Sequence, residues 1–281
     1  MRFESVKGSY DGYEYDMSDN RYKPVKNKKK IGLALLIVAI VALSIFLIKR
    51  QPSAPVWFKP AVGASYYHQA TGTIDMEQNV DIYSVPLFSG DVIKNLQSKG
   101  KKVVCQYSVG LWKQGQPELD SKYLGKLLQN NGYAMDIRQD AVKDYVSQFI
   151  QKASQFGCDG FEPLDMNVYS SDNDLDIGLD DQLRFSKWIA TTSHSFNLFT
   201  GMVNAVLQLS VSNEFDYVLA IDCFMTNNCG SYQQVISNNK PVFEMETSLD
   251  TNMFCDKANS LQFYSFKKSA DFGPGAEYCR K

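Results

Sequence analysis

The chain has 281 residues, of which 44% are hydrophobic and 21% are charged, and its net charge is −2. This length and balance fit one sizeable folded domain with a short additional segment. An acidic chain argues against a nucleic-acid-binding protein, because contact with a phosphate backbone requires basic patches.

The N-terminal part predicts a tail and a membrane anchor. Residues 1–30 are polar, carry a net charge of +3 and show no apolar periodicity, which predicts a disordered tail. The next eighteen residues, 31–48, contain no charge. About 20 apolar residues cross a bilayer, so this run predicts a transmembrane helix. A cleaved signal peptide fits less well, because its apolar core is about 7–15 residues long and ends in small residues.

Basic residues around this run predict its orientation. Six Lys or Arg residues lie between positions 21 and 30, whereas only Lys49 and Arg50 follow the run. Because basic flanks stay in the cytoplasm, the N-terminus is expected inside and the C-terminal part in an extracellular or lumenal space. Residues 49–60 are then a proline-containing linker, and residues 61–281 form the outer domain. Residues 51–281 carry a net charge of −7, which hints at a cationic ligand.

All six cysteines follow the predicted membrane segment, and an even number in an oxidising compartment favours disulfides. Two pairs are predicted, Cys223 with Cys229 across a short loop and Cys255 with Cys279. The remaining two, Cys105 and Cys158, lie in apolar, strand-like contexts and are expected to be free buried thiols. No metal site is expected, because the chain lacks a Cys-x-x-Cys motif and has two isolated histidines, His68 and His194.

In the outer domain, short β-type runs alternate with amphipathic stretches. Helical spacing of apolar residues is clear in Asp91–Lys99, Asp140–Phe156 and Asp180–Ser195. The predicted strands are Ser65–Ala70, Val80–Val85, Lys102–Ser108, Gly160–Pro163, Leu198–Val203, Tyr217–Ile221, Pro241–Glu246 and Leu261–Phe266. Eight strands separated by helices predict an α/β fold, a (β/α)8 TIM barrel. The alternative is an open doubly wound sheet, but the chain has no Gly-rich phosphate loop, and no cofactor is expected.

Carboxylates follow several of these strands, at the end where TIM barrels keep their functional residues. Glu162 and Asp165 end the fourth strand, Asp222 the sixth and Glu246 the seventh. Two carboxylates across such an opening can hydrolyse a glycosidic bond. For any single acid, a helix cap or an ion pair is the commoner role.

Six segments carry a family resemblance. They are YYHQATGTID (66–75), KVVCQYSVG (102–110), YAMDIR (133–138), GCDGFEP (157–163), FDYVLAIDCFMTNNC (215–229) and KPVFEME (240–246). Together and in this order they resemble glycoside hydrolase family 114, the endo-α-1,4-polygalactosaminidase-like TIM barrels. The resemblance implies a glycoside hydrolase fold and an amino-sugar polymer as the partner. Polar and aromatic residues near strand ends are then candidates for substrate binding: Gln69, Tyr107, Glu162, Tyr169 and Asn204.

The chain departs from the family pattern at polar positions. The resemblance places the family's catalytic aspartate at Leu164 and its catalytic glutamate at Ile221. A further aspartate corresponds to Pro86 and a lysine to Val203. Leu and Ile can neither donate a proton nor attack an anomeric carbon. Losing these ionisable groups together avoids leaving one buried charge unpaired.

These departures leave three hypotheses. The first is a membrane-anchored protein with impaired catalysis that binds carbohydrate or another partner. The second is an active retaining endo-glycosidase that uses Asp165 with Asp222 or Glu246 as a rearranged carboxylate pair. The third is a structural surface protein in which the opening of the barrel is plugged.

Overall fold

The computed structural model describes residues 56–128 and 132–279, together with residues 9–10, 13–16, 21–24 and 40. The chain forms two compact units, Met1–Ala54 and Pro55–Lys281. In the first unit, β1 (Ser9–Tyr10), β2 (Tyr13–Asp16) and β3 (Arg21–Pro24) form an antiparallel sheet. The side chains described there, Tyr13 and residues 21–24, are exposed. These strands differ from the predicted disorder of the tail. They form by backbone pairing, and the apolar periodicity of a sequence does not indicate such pairing.

The predicted transmembrane segment lies outside the described residues, except for Ile40, which is helical and exposed. Among the residues that are described, no helix has both the length and the apolar character that a membrane crossing needs. The anchor at residues 31–48 and the linker before residue 56 therefore stay predictions.

The second unit alternates strands and helices along the chain. In order, its elements are β4 (Tyr66–His68), β5 (Ile82–Pro86), α1 (Gly90–Ser98), β6 (Lys102–Ser108), β7 (Leu111–Trp112), β8 (Leu124–Leu127), β9 (Tyr133–Met135), α2 (Asp140–Gln155), β10 (Gly160–Leu164), α3 (Leu179–Ser195), β11 (Phe199–Val203), β12 (Tyr217–Ile221), α4 (Gln233–Ser237), β13 (Val242–Glu246), α5 (Thr251–Ser260), β14 (Tyr264–Lys267) and β15 (Glu277–Tyr278).

Eight of these strands form one curled parallel sheet in the order β4-β5-β6-β10-β11-β12-β13-β14, and β15 pairs antiparallel with β14. All eight predicted strands are confirmed, with ends shifted by a few residues. No described ladder joins β14 to β4. Instead, the backbone N–H of Ala70, just after β4, donates to the carbonyl oxygen of Phe272 at 3.0 Å. The fold is therefore α/β and barrel-like, as alternating strands and helices predict.

Alternation along the strands separates two apolar layers. Residues on the outer face of the sheet pack against the helices, with Val142, Val146 and Phe149 from α2 and Phe185 and Ile189 from α3 buried between them. The apolar residues whose 3.6-residue spacing predicted α2 and α3 thus form the face that each helix packs against the sheet.

The interior of the barrel is filled by aromatic side chains. Tyr66 stacks on Phe243 with ring centroids 4.3 Å apart, and Tyr217 and Phe266 lie beside them. Gly201 makes room for one of these rings, since a Cβ at this position would lie 2.2 Å from the ring of Tyr217. The centre is therefore a packed core, as it is in TIM barrels.

The chain enters the barrel at the N-terminal ends of the strands, through a contact we call the Trp57 clasp. The indole of Trp57 stacks on His194 with ring centroids 3.9 Å apart, and its Nε1–H donates to Asp216 at 2.9 Å. Asp216 also contacts His194 Nε2 at 2.8 Å and accepts from the backbone N–H of Thr200 at 2.9 Å. Because Asp216 immediately precedes β12, the clasp holds Trp57 at the N-terminal ends of the strands, which we call the floor of the barrel.

A small antiparallel sheet, in the order β7-β9-β8, is inserted between β6 and α2. The sequence pattern does not predict this sheet. Its strands are short and irregular, so the segment has no extended alternation of apolar and polar residues that would predict strands. It starts directly after β6 and therefore lies at the C-terminal end of the barrel strands.

Three disulfides join the six cysteines. Cys223–Cys229 and Cys255–Cys279 confirm the two predicted pairs. The expectation of free thiols at Cys105 and Cys158 is wrong, because these residues form the third disulfide with their Cα atoms 6.0 Å apart. Cys105 lies on β6 and Cys158 just before the neighbouring strand β10, although the two cysteines are 53 residues apart in sequence. Only the sheet order brings them together.

Candidate functional site

The C-terminal ends of the eight parallel strands define the mouth of the barrel. Leu164, Val203 and Ile221 pack against the interior apolar cluster and are the last residues of β10, β11 and β12. Pro86 and Ser108 occupy the corresponding ends of β5 and β6, four residues after the interior residues Ile82 and Val104. The inward positions at these five strand ends therefore carry four apolar residues and one serine.

Each of three neighbouring strands is followed by an Asp or Asn with positive φ. The values are 58° at Asp165, 45° at Asn204 and 54° at Asp222. Asn and Asp tolerate this left-handed conformation better than other residues with a Cβ, because their short polar side chains bond locally. The backbone geometry where these strands end thus accounts for these residue types without a catalytic role.

The side chains of Asp165 and Asp222 differ in their hydrogen bonding. Asp222 accepts hydrogen bonds from the backbone N–H of Thr247 at 2.6 Å and from its hydroxyl at 2.9 and 3.0 Å. It therefore ties the end of β12 to the end of β13. Asp165 is half-buried and makes no side-chain hydrogen bond within the part of the chain that the structure describes. Of the predicted pair, only Asp165 has a carboxylate that no described residue engages.

Glu246 lies on the outer face of β13, since Phe243 and Met245 occupy the inner face. One oxygen of its carboxylate accepts from the backbone N–H of Phe224 at 2.7 Å and of Met225 at 3.3 Å. The structure thus uses Glu246 to hold the loop after β12 and does not place it beside Asp165 in the mouth.

The neighbouring Glu244 is fully buried on the same outer face, and neither of its oxygens has a hydrogen-bond partner among the residues that the structure describes. Burial and the nearby charge of Glu246 raise its pKa to about 10, so Glu244 is a neutral acid at pH 7. The hydroxyl of this neutral carboxyl group can donate a hydrogen bond to Glu246. Glu244 also lies with the sulfurs of Cys223 and Cys229 in a cluster spanning 4.8 Å. Those sulfurs form a disulfide and lack the thiolate charge that binds metal ions.

Below the mouth, Glu162 is the centre of a buried polar network. Its carboxylate is fully buried and accepts hydrogen bonds from Tyr66 at 2.5 Å, Tyr217 at 2.6 Å and Ser84 at 2.6 Å. His68 Nδ1 lies 3.2 Å away and contributes the fourth contact. These groups come from three strands besides its own: Tyr66 and His68 from β4, Ser84 from β5 and Tyr217 from β12.

The electrostatics of this network keep Glu162 ionised. Burial acts to raise its pKa, but the contacts with His68, Ser84 and Tyr217 outweigh burial and hold the pKa below its usual range. Burial and the charge of Glu162 raise the pKa of Tyr66 and Tyr217 well above normal, so both stay hydroxyl donors. Leu164 follows two residues later along β10, which places Glu162 roughly 7 Å below the mouth. The network therefore supports the barrel from inside.

The other predicted substrate-binding residues are scattered. Gln69 is fully buried and holds the loop after β4 through hydrogen bonds to Thr71, Thr73 and Asp75. Tyr107 faces outward from β6 and stacks on Phe149 at 3.9 Å.

Two of the predicted set remain near the mouth. Tyr169 is half-buried in a short 3-10 turn after β10. Asn204 is exposed at the end of β11, where its Oδ1 accepts from the backbone N–H of Ile221 at 3.3 Å. The structure thus brings Leu164, Val203, Ile221 and Asn204 together at one opening. Ser84 and Tyr217, which bind Glu162, were not predicted, although strand alternation places both on the inner face.

Comparisons with known proteins agree with this architecture. The model of glycoside-hydrolase family GH114 matches residues 48–281. Ega3 from Aspergillus fumigatus, solved in complex with galactosamine, is 27% identical, with a TM-score of 0.75 over 80% of this chain and 98% of that chain. The glycoside hydrolase domain of PelA from Pseudomonas aeruginosa is similar in fold, with 10% identity and a TM-score of 0.61 over 75% of this chain and 97% of that chain. No curated protein sequence matches the chain.

Proposed function

The chain belongs to glycoside-hydrolase family GH114, and from this membership we propose that its barrel binds an amino-sugar polymer with hydrolysis impaired or lost. The observation that carries the proposal is the apolar lining of the mouth by Pro86, Leu164, Val203 and Ile221. Glycoside hydrolysis in most families needs two carboxyl groups that flank the scissile bond. These four positions supply neither a proton nor a nucleophile.

The ligand class follows from the relative and from charge. Ega3, 27% identical, was solved with galactosamine, whose amino group is cationic at neutral pH. Residues 51–281 of this chain carry a net charge of −7, which favours a cationic ligand. An amino-sugar polymer is therefore the partner that we expect, and the same surface could serve as a module that binds another cationic partner.

The second candidate is an active retaining endo-glycosidase that uses Asp165. One observation favours it: the carboxylate of Asp165 is the one at the mouth that no described residue engages. Its partner would be Asp222, because Glu246 lies on the outer face of β13. A retaining pair needs carboxyl groups about 5–5.5 Å apart. Asp222 would have to give up its hydrogen bonds to Thr247 to take part.

One experiment separates these candidates. The full-length protein is incubated with an α-1,4-linked galactosamine polymer, and bound polymer and new reducing ends are measured together. Impaired catalysis predicts binding with few or no new reducing ends. Cleavage that is lost in Asp165→Asn but kept in the surface control Asp256→Asn would overturn the proposal in favour of the active enzyme.

A gain-of-function pair tests the same point from the other side. Leu164→Asp combined with Ile221→Glu restores the acids that the family resemblance places there. Hydrolysis that appears only in the double variant supports an impaired ancestral site. A double variant that folds and binds polymer but releases no sugar counts against this account of the mouth.

We also propose that residues 31–48 anchor the chain in a membrane with the N-terminus in the cytoplasm. The uncharged run and the excess of basic residues before it support this orientation. Three disulfides in the barrel fit an oxidising compartment. Protease added to intact cells or sealed vesicles should digest the barrel from the extracellular or lumenal side and leave residues 1–30 protected. The reverse pattern would overturn the proposed orientation.

A further inference from the structure

A broad groove lies on the small sheet of β7, β8 and β9, outside the interior of the barrel. Its volume is about 970 Å³, at the upper end of what small-molecule sites enclose. Trp112, Leu119 and Tyr133 supply its apolar surface, and Gln114, Glu118 and Asp120 supply polar groups. Nothing in the barrel network or the mouth uses these side chains.

The aromatic part of the groove is fixed in place. Trp112 and Tyr133 are half-buried, and their ring centroids lie 6.0 Å apart at an angle of 52°. The indole N–H of Trp112 donates to the carbonyl oxygen of Pro117 at 2.9 Å, which holds the ring in one orientation. Two inclined rings with settled positions form a corner against which the apolar C–H face of a sugar ring can pack.

The carboxylates give this corner a charge preference. Asp120 accepts hydrogen bonds from the backbone N–H of Lys122 at 3.1 Å and contacts its Nζ at 3.1 Å. Glu118 is exposed, and no described residue pairs with its carboxylate. One carboxylate beside the rings is thus uncompensated, which favours a ligand with a positive charge next to an apolar face.

The small sheet is braced against the loop that follows β10. Lys126 Nζ contacts Asp172 at 2.5 Å, and Gly125 packs so closely that a Cβ there would lie 2.1 Å from the carbonyl oxygen of Asn173. The backbone N–H of Met135 donates to Gly110, directly after β6, at 2.9 Å. Both the loop after β10 and the end of β6 belong to the mouth. The groove is therefore held on the same side of the molecule as the mouth.

We propose that this groove is a second sugar subsite that takes a cationic hexosamine unit of the polymer bound at the mouth. The rings would pack on the sugar face, Glu118 would pair with its ammonium group, and Gln114 would bond its hydroxyls. A neutral or N-acetylated sugar lacks the charge that Glu118 needs. This inference rests on the proposed function, since it assigns a further contact to the same polymer.

The test measures binding of the full-length protein to long galactosamine oligomers by calorimetry, with fully N-acetylated oligomers as the comparison ligand. Trp112→Ala should weaken binding of the long oligomer about tenfold, because it removes one aromatic packing surface. Glu118→Gln should weaken it several-fold and should leave the weaker binding of the N-acetylated oligomer unchanged. Phe88→Ala, an exposed aromatic residue outside the groove, is the matched control and should have no effect.

A variant that obstructs the mouth, Leu164→Trp, separates this inference from the proposed function, with folding checked by near-UV circular dichroism. If Trp112→Ala and Glu118→Gln bind as tightly as the unmodified chain while Leu164→Trp does not, the groove inference is overturned and the proposed function stands. If only the groove variants lose binding, the groove binds the polymer by itself, and both binding at the mouth and the groove's role as a second subsite are overturned. Absence of any binding by the unmodified chain overturns both.

Discussion

The substitution Glu244→Gln should make the barrel more stable, by an amount that grows with pH. Glu244 is fully buried on the outer face of β13, beside Glu246 and the Cys223–Cys229 disulfide. Its carboxyl pKa is raised from 4.5 to about 10, chiefly by burial. A glutamine has nearly the same shape, stays neutral and can still donate a hydrogen bond to Glu246.

The magnitude follows from proton linkage. Above pH 4.5 the unfolded chain releases the proton of Glu244, whereas the folded chain keeps it until about pH 10. Each pH unit in this window therefore favours the unfolded state by about 1.4 kcal/mol. At pH 7 the cumulative cost is about 3 kcal/mol, and at pH 5 it is below about 1 kcal/mol. Glutamine does not titrate and avoids this cost.

The assay is urea unfolding with the disulfides intact, for the unmodified chain and the variant at pH 5, 6, 7 and 8. The difference in free energy of unfolding should rise with pH and reach about 3 kcal/mol in favour of the variant at pH 7. Glu77→Gln is the control, because Glu77 is exposed and pairs with Lys99 only at the surface. A difference that does not vary with pH, or a less stable variant, would refute the neutral buried acid.

Three further predictions concern stability and use the same unfolding assay. Glu162→Ala should cost about 3–5 kcal/mol, because it leaves buried hydroxyl donors without an acceptor; a loss below about 1 kcal/mol would mean that the network does not support the barrel. Cys158→Ala should cost about 4 kcal/mol and Cys223→Ala about 2 kcal/mol. The reason is that the first disulfide joins cysteines 53 residues apart, whereas the second joins cysteines 6 residues apart. A larger loss for Cys223→Ala would contradict the loop-entropy argument. Asp222→Ala should cost about 2 kcal/mol and Asp222→Asn less than about 1 kcal/mol, because alanine loses both the tolerance of positive φ and the contact with Thr247; equal losses would show that the charge matters more than the backbone.

The strands and long helices could be predicted because each has a repeating apolar pattern. In α2, the spacing of Val142, Val146, Phe149 and Ile150 places all four residues on the face that packs against the sheet. The alternation of short apolar runs with such helices then predicts a parallel barrel-like sheet. The Cys105–Cys158 disulfide could not be predicted this way, because it depends on β6 and β10 being neighbours.

The candidate site was harder to predict, because it depends on which face each residue occupies. The sequence shows that Glu246 is an acid at a strand end. Because Phe243 and Met245 occupy interior positions, strand alternation places Glu246 on the outer face. Asp165 and Asp222 read as shifted catalytic acids, yet each also meets the need for a residue that tolerates positive φ. The convergence of Tyr66, Ser84 and Tyr217 on Glu162 exists only once the sheet is curled, and no local pattern encodes it.

The Trp57 clasp determines which end of the barrel is obstructed by the polypeptide itself. Because the incoming chain is fastened to Asp216 and His194 at the floor, residues 56–60 take no space at the mouth. The amino-sugar polymer that we propose as the ligand would therefore meet no obstruction from this segment at the opening. If the proposed polymer binds there, the incoming chain does not restrict binding to a polymer terminus.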